Sequence, residues 1–273
     1  MTVEDLLVYG KTYIHKDHVK LLLADLLMLN PLELLNYLDM PVNEEKAELF
    51  KCEIKALKEG KPLQYVTKKV NFYGIVFSIN EDVLIPRFET EELVESTINY
   101  ANKYFTNPKI LDLGCGSGVI GLTLKKKLPT SSITLVDISK KALEVSQTNA
   151  SSLNLDVNFI LSDMLETVNG KFDIIISNPP YIKTNEEIED IVKNNEPHLA
   201  LYGGTDGLLY YQKIFKNVEK HMHDKCLIAL EIGSSQKEAV KELAFKYLTN
   251  IKIITKRDLS NRDRMLFIFK NIE

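Results

Sequence analysis

The stretch Ile110-Leu111-Asp112-Leu113-Gly114-Cys115-Gly116-Ser117-Gly118 decides the fold. A short apolar run enters a turn with glycine at every second position, and helical spacing follows. Glycine admits positive φ and lets a ligand reach the backbone with no Cβ in the way, so this pattern predicts a strand, a binding loop and a helix. Outward from it, apolar runs at 133–136, 157–161, 172–177 and 226–232 alternate with helical patterns near 118–128, 139–153, 207–222 and 235–247. Such alternation predicts a parallel sheet covered on both faces by right-handed crossovers. The runs 251–255 and 265–269 have no helix between them and should pair antiparallel at the end of the sheet. The expected class is α/β, a seven-stranded, doubly wound, mostly parallel sheet.

Upstream the pattern changes. Val19, Leu22, Leu23, Leu26 and Leu27 recur at helical spacing, and Leu32, Leu34, Leu35 and Leu38 follow Pro31, so a small all-α domain is expected at the amino terminus. Val70 to Ile79 alternates around Tyr73-Gly74 and reads as a hairpin connector. Thr90, followed by Glu91 and Glu92, reads as the cap of a helix that Asn107-Pro108 stops. The expected division is a helical substrate-recognition domain at 1–68, a connector at 69–89 and the sheet domain at 90–273.

Composition narrows the partners. The chain carries 34 basic and 38 acidic residues, and residues 1–60 hold 7 lysines against 11 acids, while the remainder is balanced. Affinity for nucleic acid rests on cationic contacts to phosphate, so an acidic appendage argues against nucleic acid as partner. Cys52, Cys115 and Cys226 are widely spaced and odd in number, which fits neither a disulfide framework nor a zinc site, and no metal is expected. No apolar run approaches the length of a membrane span and no secretory signal is visible, so a cytoplasmic protein is expected.

Gly116, Gly118 and Gly121 satisfy G-x-G-x-x-G, which leaves a dinucleotide open. Asp112, however, stands two residues before the first glycine, where a carboxylate repels phosphate and suits a cationic ligand end. Asp137 ends the second strand and can accept from two ribose hydroxyls, and Asp163 ends the third, within reach of an adenine amino group. Three carboxylates around a glycine turn match S-adenosylmethionine as cofactor.

The fourth strand ends in Ser177-Asn178-Pro179-Pro180-Tyr181. Strands one and four should flank the point where strand order reverses, which is where ligands bind in such sheets. Two prolines stiffen the loop, so the Asn178 side-chain oxygen and the Pro179 carbonyl can act as paired acceptors for a planar NH₂ group, and Tyr181 can cover that group by stacking. The reaction read from these residues is methyl transfer to a nitrogen held by orientation and electrostatics rather than by a strong base.

With the glycine turn and Asp137, the Asn-Pro-Pro-Tyr sequence resembles class I, Rossmann-like methyltransferases acting on planar amino groups. That class includes adenine N6 and guanine N2 enzymes as well as protein glutamine enzymes, and the tetrapeptide does not choose among them. Gly60-Lys61-Pro62-Leu63-Gln64-Tyr65, Leu84 to Glu91, Glu196-Pro197 with Ala200-Leu201, Gly204 to Leu208, Glu231-Ile232-Gly233 and Asp258 to Arg264 follow in order. Together they resemble the peptide-chain release-factor glutamine N5-methyltransferases over essentially the whole chain. The resemblance implies cofactor contacts from Gly114, Cys115, Gly116, Ser117, Gly118, Asp137, Asp163, Met164 and Asn178. It implies catalytic roles for Asn178, Pro179 and Tyr181, and substrate contacts from Asn178, Pro179, Pro180 and Tyr181. The implied partner is a bacterial class I peptide chain release factor, methylated at the glutamine of its Gly-Gly-Gln loop, and a monomer is expected. Arg87 and Thr90 fall in a family signature beside the cofactor, with no role readable from sequence. Phe88 stands where many relatives carry Pro, and Met164 where an aromatic is common.

Overall fold

A computed structural model describes residues 1–272, which form two compact units. One comprises Met1–Lys69 together with the distant segment Glu189–Asn195, and the other Val70–Ile188 with Glu196 onward.

The first unit is helical. It holds α1 (Val3–Lys11), α2 (Lys16–Leu27), α3 (Glu44–Lys58) and α4 (Leu63–Thr67). Thr2 and Asp5 form a capping box at the start of α1, and the Asn43 side chain accepts from Lys46 N at the start of α3. Val3, Leu6, Leu7, Val19, Leu22, Leu23, Phe50 and Ile54 make its core. Beyond Pro31 the chain makes only a short 3-10 turn, Leu34–Tyr37. One turn has no lasting apolar face, so Leu34 is buried while Leu32 and Leu35 stand 88% and 54% exposed. The Asn195 side chain donates to Gly60 O at 3.1 Å within this unit.

The second unit begins with β1 (Lys69–Phe72, its first residue counted with the helical unit) and β2 (Ile75–Ser78), a separate two-stranded sheet. The hairpin expected as a connector is part of this unit's core. Phe72 and Phe77 are buried with the main sheet's side chains, and Asn149 clamps Ser78 by accepting from its N–H at 2.7 Å and donating to its carbonyl at 2.9 Å. There follow α5 (Phe88–Tyr104), β3 (Lys109–Leu113), α6 (Val119–Lys127), β4 (Ser132–Asp137), α7 (Lys140–Ser152), β5 (Asn158–Leu161) and β6 (Phe172–Ser177). After α8 (Asp190–Asn195), which belongs to the helical unit, come α9 (Leu209–Val218), β7 (Met222–Glu231), α10 (Lys237–Tyr247), β8 (Ile251–Arg257) and β9 (Asp263–Lys270).

The strand order is β5-β4-β3-β6-β7-β9-β8. β3, β4, β5, β6 and β7 pair in parallel, and β9 runs antiparallel to both β7 and β8. Alternate strand residues serve two cores, with Ile110, Leu135, Ile174 and Phe267 on one face and Leu111, Val136, Ile175 and Ile268 on the other. Order reverses between β3 and β6, which places Leu113 beside Ser177 and opens a crevice beyond both strand ends.

Candidate active site

The glycine turn after β3 holds φ of +69° at Gly114 and +54° at Gly116. A Cβ at either position would meet no protein atom within 4 Å, so the turn leaves space where a side chain would stand. That space belongs to a cleft enclosing about 750 Å³, the part open to solvent included. Its wall includes Gly114, Gly116, Asp137, Asp163, Met164 and Asn178. Cys115, Ser117 and Gly118 do not line it. Cys115 and Ser117 are buried, the Ser117 carbonyl accepts from Asn149 at 2.9 Å, and Gly118 opens α6.

Asp112 also departs from expectation. It is fully buried and does not line the cleft, because its Oδ2 accepts from Gly121 N, in the first turn of α6, at 2.9 Å. Its Oδ1 has no partner, and burial pushes its carboxyl up to about 7.

Asp137 lines the cleft with each oxygen already bound once, Oδ2 by Gly116 N and Oδ1 by Ser139 N, both at 2.8 Å. A carboxylate offers about four acceptor sites, so its remaining lone pairs are available to a ligand. Burial raises its pKa against those backbone donors. Asp163 is held by the Lys213 ammonium, which keeps the carboxylate in place at the wall. Met164 takes a left-handed φ of +49° and presents a thioether surface.

Asn178 follows β6 and is tied by a relay. Its Nδ2 donates to Thr90 Oγ1 at 3.1 Å, and Thr90 Oγ1 donates to Glu231 Oε2 at 2.6 Å. Thr90 is therefore no helix cap. α5 starts at Phe88, two residues earlier, and Thr90 is buried with its hydroxyl turned to β7. Pro180 lines the cleft and Pro179 is buried. Tyr181 does not line it. Its hydroxyl donates to Glu231 Oε1 at 3.4 Å and accepts from Arg264 Nη1 at 3.1 Å. The Arg264 guanidinium carbon stands 5.9 Å from the ring centroid. Burial, then the Glu231 charge, pushes the Tyr181 phenol up, and burial pushes Glu231 up to about 7.

Sequence reading missed several wall residues. Leu84, Pro197, Ala200 and Tyr210 line the cleft, and a buried carboxylate joins the segments that supply the first two. Glu196 accepts from Ile85 N at 3.0 Å and from Arg87 Nη2 at 2.6 Å. The signal was present in the paired motifs around Arg87 and Glu196, whose ion pair only the fold makes visible.

These residues fit S-adenosylmethionine. Glycines with empty space on the ligand side, an acidic residue at the end of β4, a carboxylate with an apolar thioether after β5 and a carboxamide after β6 suit amino acid, ribose, adenine and methyl respectively. Among the described residues no three His, Cys, Asp or Glu side chains gather as metal ligands, and no helix is long and apolar enough to cross a membrane.

Fold and cleft together define the class, the S-adenosylmethionine-dependent methyltransferases. The Methyltransferase small domain family matches residues 90–205, and the PrmC N-terminal domain family matches residues 15–67. The release factor glutamine methyltransferase of Bacillus subtilis strain 168 is 39% identical over 249 residues, covering 88% of this chain and 86% of that protein. Its counterpart in Flavobacterium psychrophilum is 43% identical over 218 residues, covering 77% and 76%. The chain belongs to the release factor glutamine methyltransferase family. A methyltransferase crystal structure from Pyrococcus furiosus superposes with a TM-score of 0.55 at 19% identity, over 73% of this chain and 91% of that one, a likeness of fold.

Proposed function

We propose that this protein transfers a methyl group to the side-chain amide nitrogen of the glutamine in the Gly-Gly-Gln loop of bacterial class I peptide chain release factors. The observation that carries this reading is Asn178, held at the cleft wall with its NH₂ end occupied by Thr90. The side-chain oxygen is left for a planar NH₂ such as glutamine's. Bound in the cleft, S-adenosylmethionine supplies an electrophilic methyl on a sulfonium.

Gly114 and Gly116 leave room for the cofactor, Asp137 would hold its ribose, and Asp163 with Met164 would hold its adenine. Asn178 Oδ1 and the Pro179 carbonyl accept from the glutamine NH₂ and aim its nitrogen at the methyl. S-adenosylmethionine held there would supply the methyl carbon to that nitrogen, its sulfonium leaving as a neutral thioether with the electron pair of the broken S–C bond. The acceptors stabilise the positive charge growing on nitrogen, which then releases one proton to water. The helical unit, with its acidic excess, recognises the folded release factor rather than nucleic acid, and the protein works as a monomer in the cytosol.

The test is an assay offering purified release factor and duplex DNA together with labelled cofactor. One added methyl on the Gly-Gly-Gln glutamine is expected by mass spectrometry. Label in DNA with none in release factor would refute the reading.

A further inference from the structure

Glu231, the last residue of β7, is buried to 1% exposure, yet among the described residues no cation bonds its carboxylate directly. What it holds is polar. Thr90 donates to one oxygen at 2.6 Å and Tyr181 reaches the other at 3.4 Å. An ionised carboxylate only accepts, so the hydrogen in the short contact belongs to Thr90. A hydroxyl has one hydrogen. With it committed to Glu231, Thr90 can only accept from Asn178, and the 3.1 Å contact must come from the NH₂ end of the carboxamide. Oδ1 is thereby turned the other way.

We propose that Glu231 is a positioning residue for methyl transfer, which through Thr90 fixes the polarity of the Asn178 carboxamide so that its oxygen faces the acceptor NH₂. The inference rests on the reading that the acceptor is a planar amide. Reversed, the carboxamide would present N–H to N–H, and the acceptor would lose both its orientation and the oxygen that stabilises charge on nitrogen.

The relay reverses when Glu231 gains a proton. A neutral carboxyl donates to Thr90 Oγ1, which frees the Thr90 hydrogen for the Asn178 oxygen. The groups that face Glu231 are Thr90 and Glu89 on α5, Tyr181 after β6, Tyr211 on α9, whose hydroxyl donates to the Glu231 carbonyl at 2.8 Å, and Arg264 on β9, backed by Asp258. Burial outweighs the rest and places the change at about 7.

Three variants test this. Glu231→Gln supplies a permanent donor, Thr90→Val removes the relay while keeping shape, and Thr90→Ser retains the hydroxyl. With folded release factor as substrate, Glu231→Gln and Thr90→Val should each lower kcat on the order of 100-fold, the scale of losing one oriented catalytic contact. Cofactor affinity should be unchanged. The parent's activity should fall below about pH 7, a limb both variants lose. Thr90→Ser should recover most of the rate and keep the limb. Parent kcat and an unchanged pH profile in Glu231→Gln and Thr90→Val would overturn the proposal. The Asn178 side-chain amide NMR signal gives a readout that needs no substrate. It should move in Thr90→Val and Glu231→Gln, and an unmoved signal overturns the relay. A parent that methylates no release factor but shows the moved signal in the variants would sink the substrate reading and leave the relay standing.

Discussion

Gly116→Ala and Gly121→Ala add the same methyl group at opposite ends of the glycine-rich stretch, and the structure assigns them different consequences. At Gly116 the new Cβ meets no protein atom within 4 Å, but the backbone sits at φ +54°. The left-handed conformation costs an L-residue about 1–2 kcal/mol, which is the expected loss of stability. The methyl also stands in the space proposed for the cofactor, so binding should weaken at least about tenfold, or 1.4 kcal/mol. At Gly121, inside α6, the Cβ would lie 3.0 Å from Asp112 Oδ2, 3.3 Å from Ile133 Cγ2 and closer still to Leu135 Cδ2. A gain of about 1 kcal/mol in helix propensity is set against about 1–3 kcal/mol of overpacking, so this variant loses up to about 2 kcal/mol of stability with little loss of affinity. Urea unfolding measures the first quantity and isothermal titration with S-adenosylmethionine the second. If Gly116→Ala binds the cofactor like the parent while Gly121→Ala does not, the turn does not face the ligand and the site must be redrawn.

Asp137→Ala should weaken cofactor binding by about 2–3 kcal/mol in the same titration, because it removes charged acceptors from the ribose and releases Gly116 N and Ser139 N. Unchanged affinity would remove Asp137 from the site. Asn178→Ala should lower turnover far more than cofactor affinity, since its task is to align the acceptor, and half the parent's rate on folded release factor would contradict that role. Stability should fall as pH rises from about 4.5 to about 7, because Asp112, Glu231 and Glu53, each pushed up to about 7, bind protons more tightly folded than unfolded. A lower urea midpoint at about pH 8 than at about pH 5, with a smaller difference in Asp112→Asn, is the expected result, and a midpoint that rises with pH would refute it.

The sheet was legible because strands buried on both faces are continuous apolar runs, and the switch point was legible because two of those runs end in residues with chemistry. What escaped was distance and facing. Thr90 followed by acidic residues imitates a helix start, whereas its partner Glu231 lies 141 residues away, and Glu196 lies 111 residues from Ile85. No local pattern encodes such pairs. Asp112 was misread from its place before the glycines, although alternation holds the answer. Leu111 and Leu113 pack on one face and Ile110 on the other, so Asp112 points with Ile110 toward α6 and meets Gly121 N. The helical unit escaped differently, since its segment Glu189–Asn195 comes from between the catalytic loop and Glu196. Periodicity in residues 1–68 alone could not reveal a helix supplied from so far along the chain.

Asp112 and Glu231 also explain each other. Both stand at or next to the carboxyl end of a central strand, both are buried, and both are pushed up to about 7. Leucine at either place would relieve that strain, since a buried carboxylate without a direct cationic partner opposes folding once it ionises. Each instead binds a donor that a leucine could not. Asp112 takes Gly121 N–H and so sets the first turn of α6 close against β3, where the missing Cβ of Gly121 permits the approach. Glu231 takes the hydrogen of Thr90 and through it sets Asn178. The two carboxylates thus anchor the start of α6, which follows the glycine turn, and, through Thr90, the Asn178 carboxamide. Their ionisation near neutrality means that the pH at which the relay is correctly set is also the pH at which the fold is less stable, so stability and turnover should move in opposite directions as pH rises through about 7.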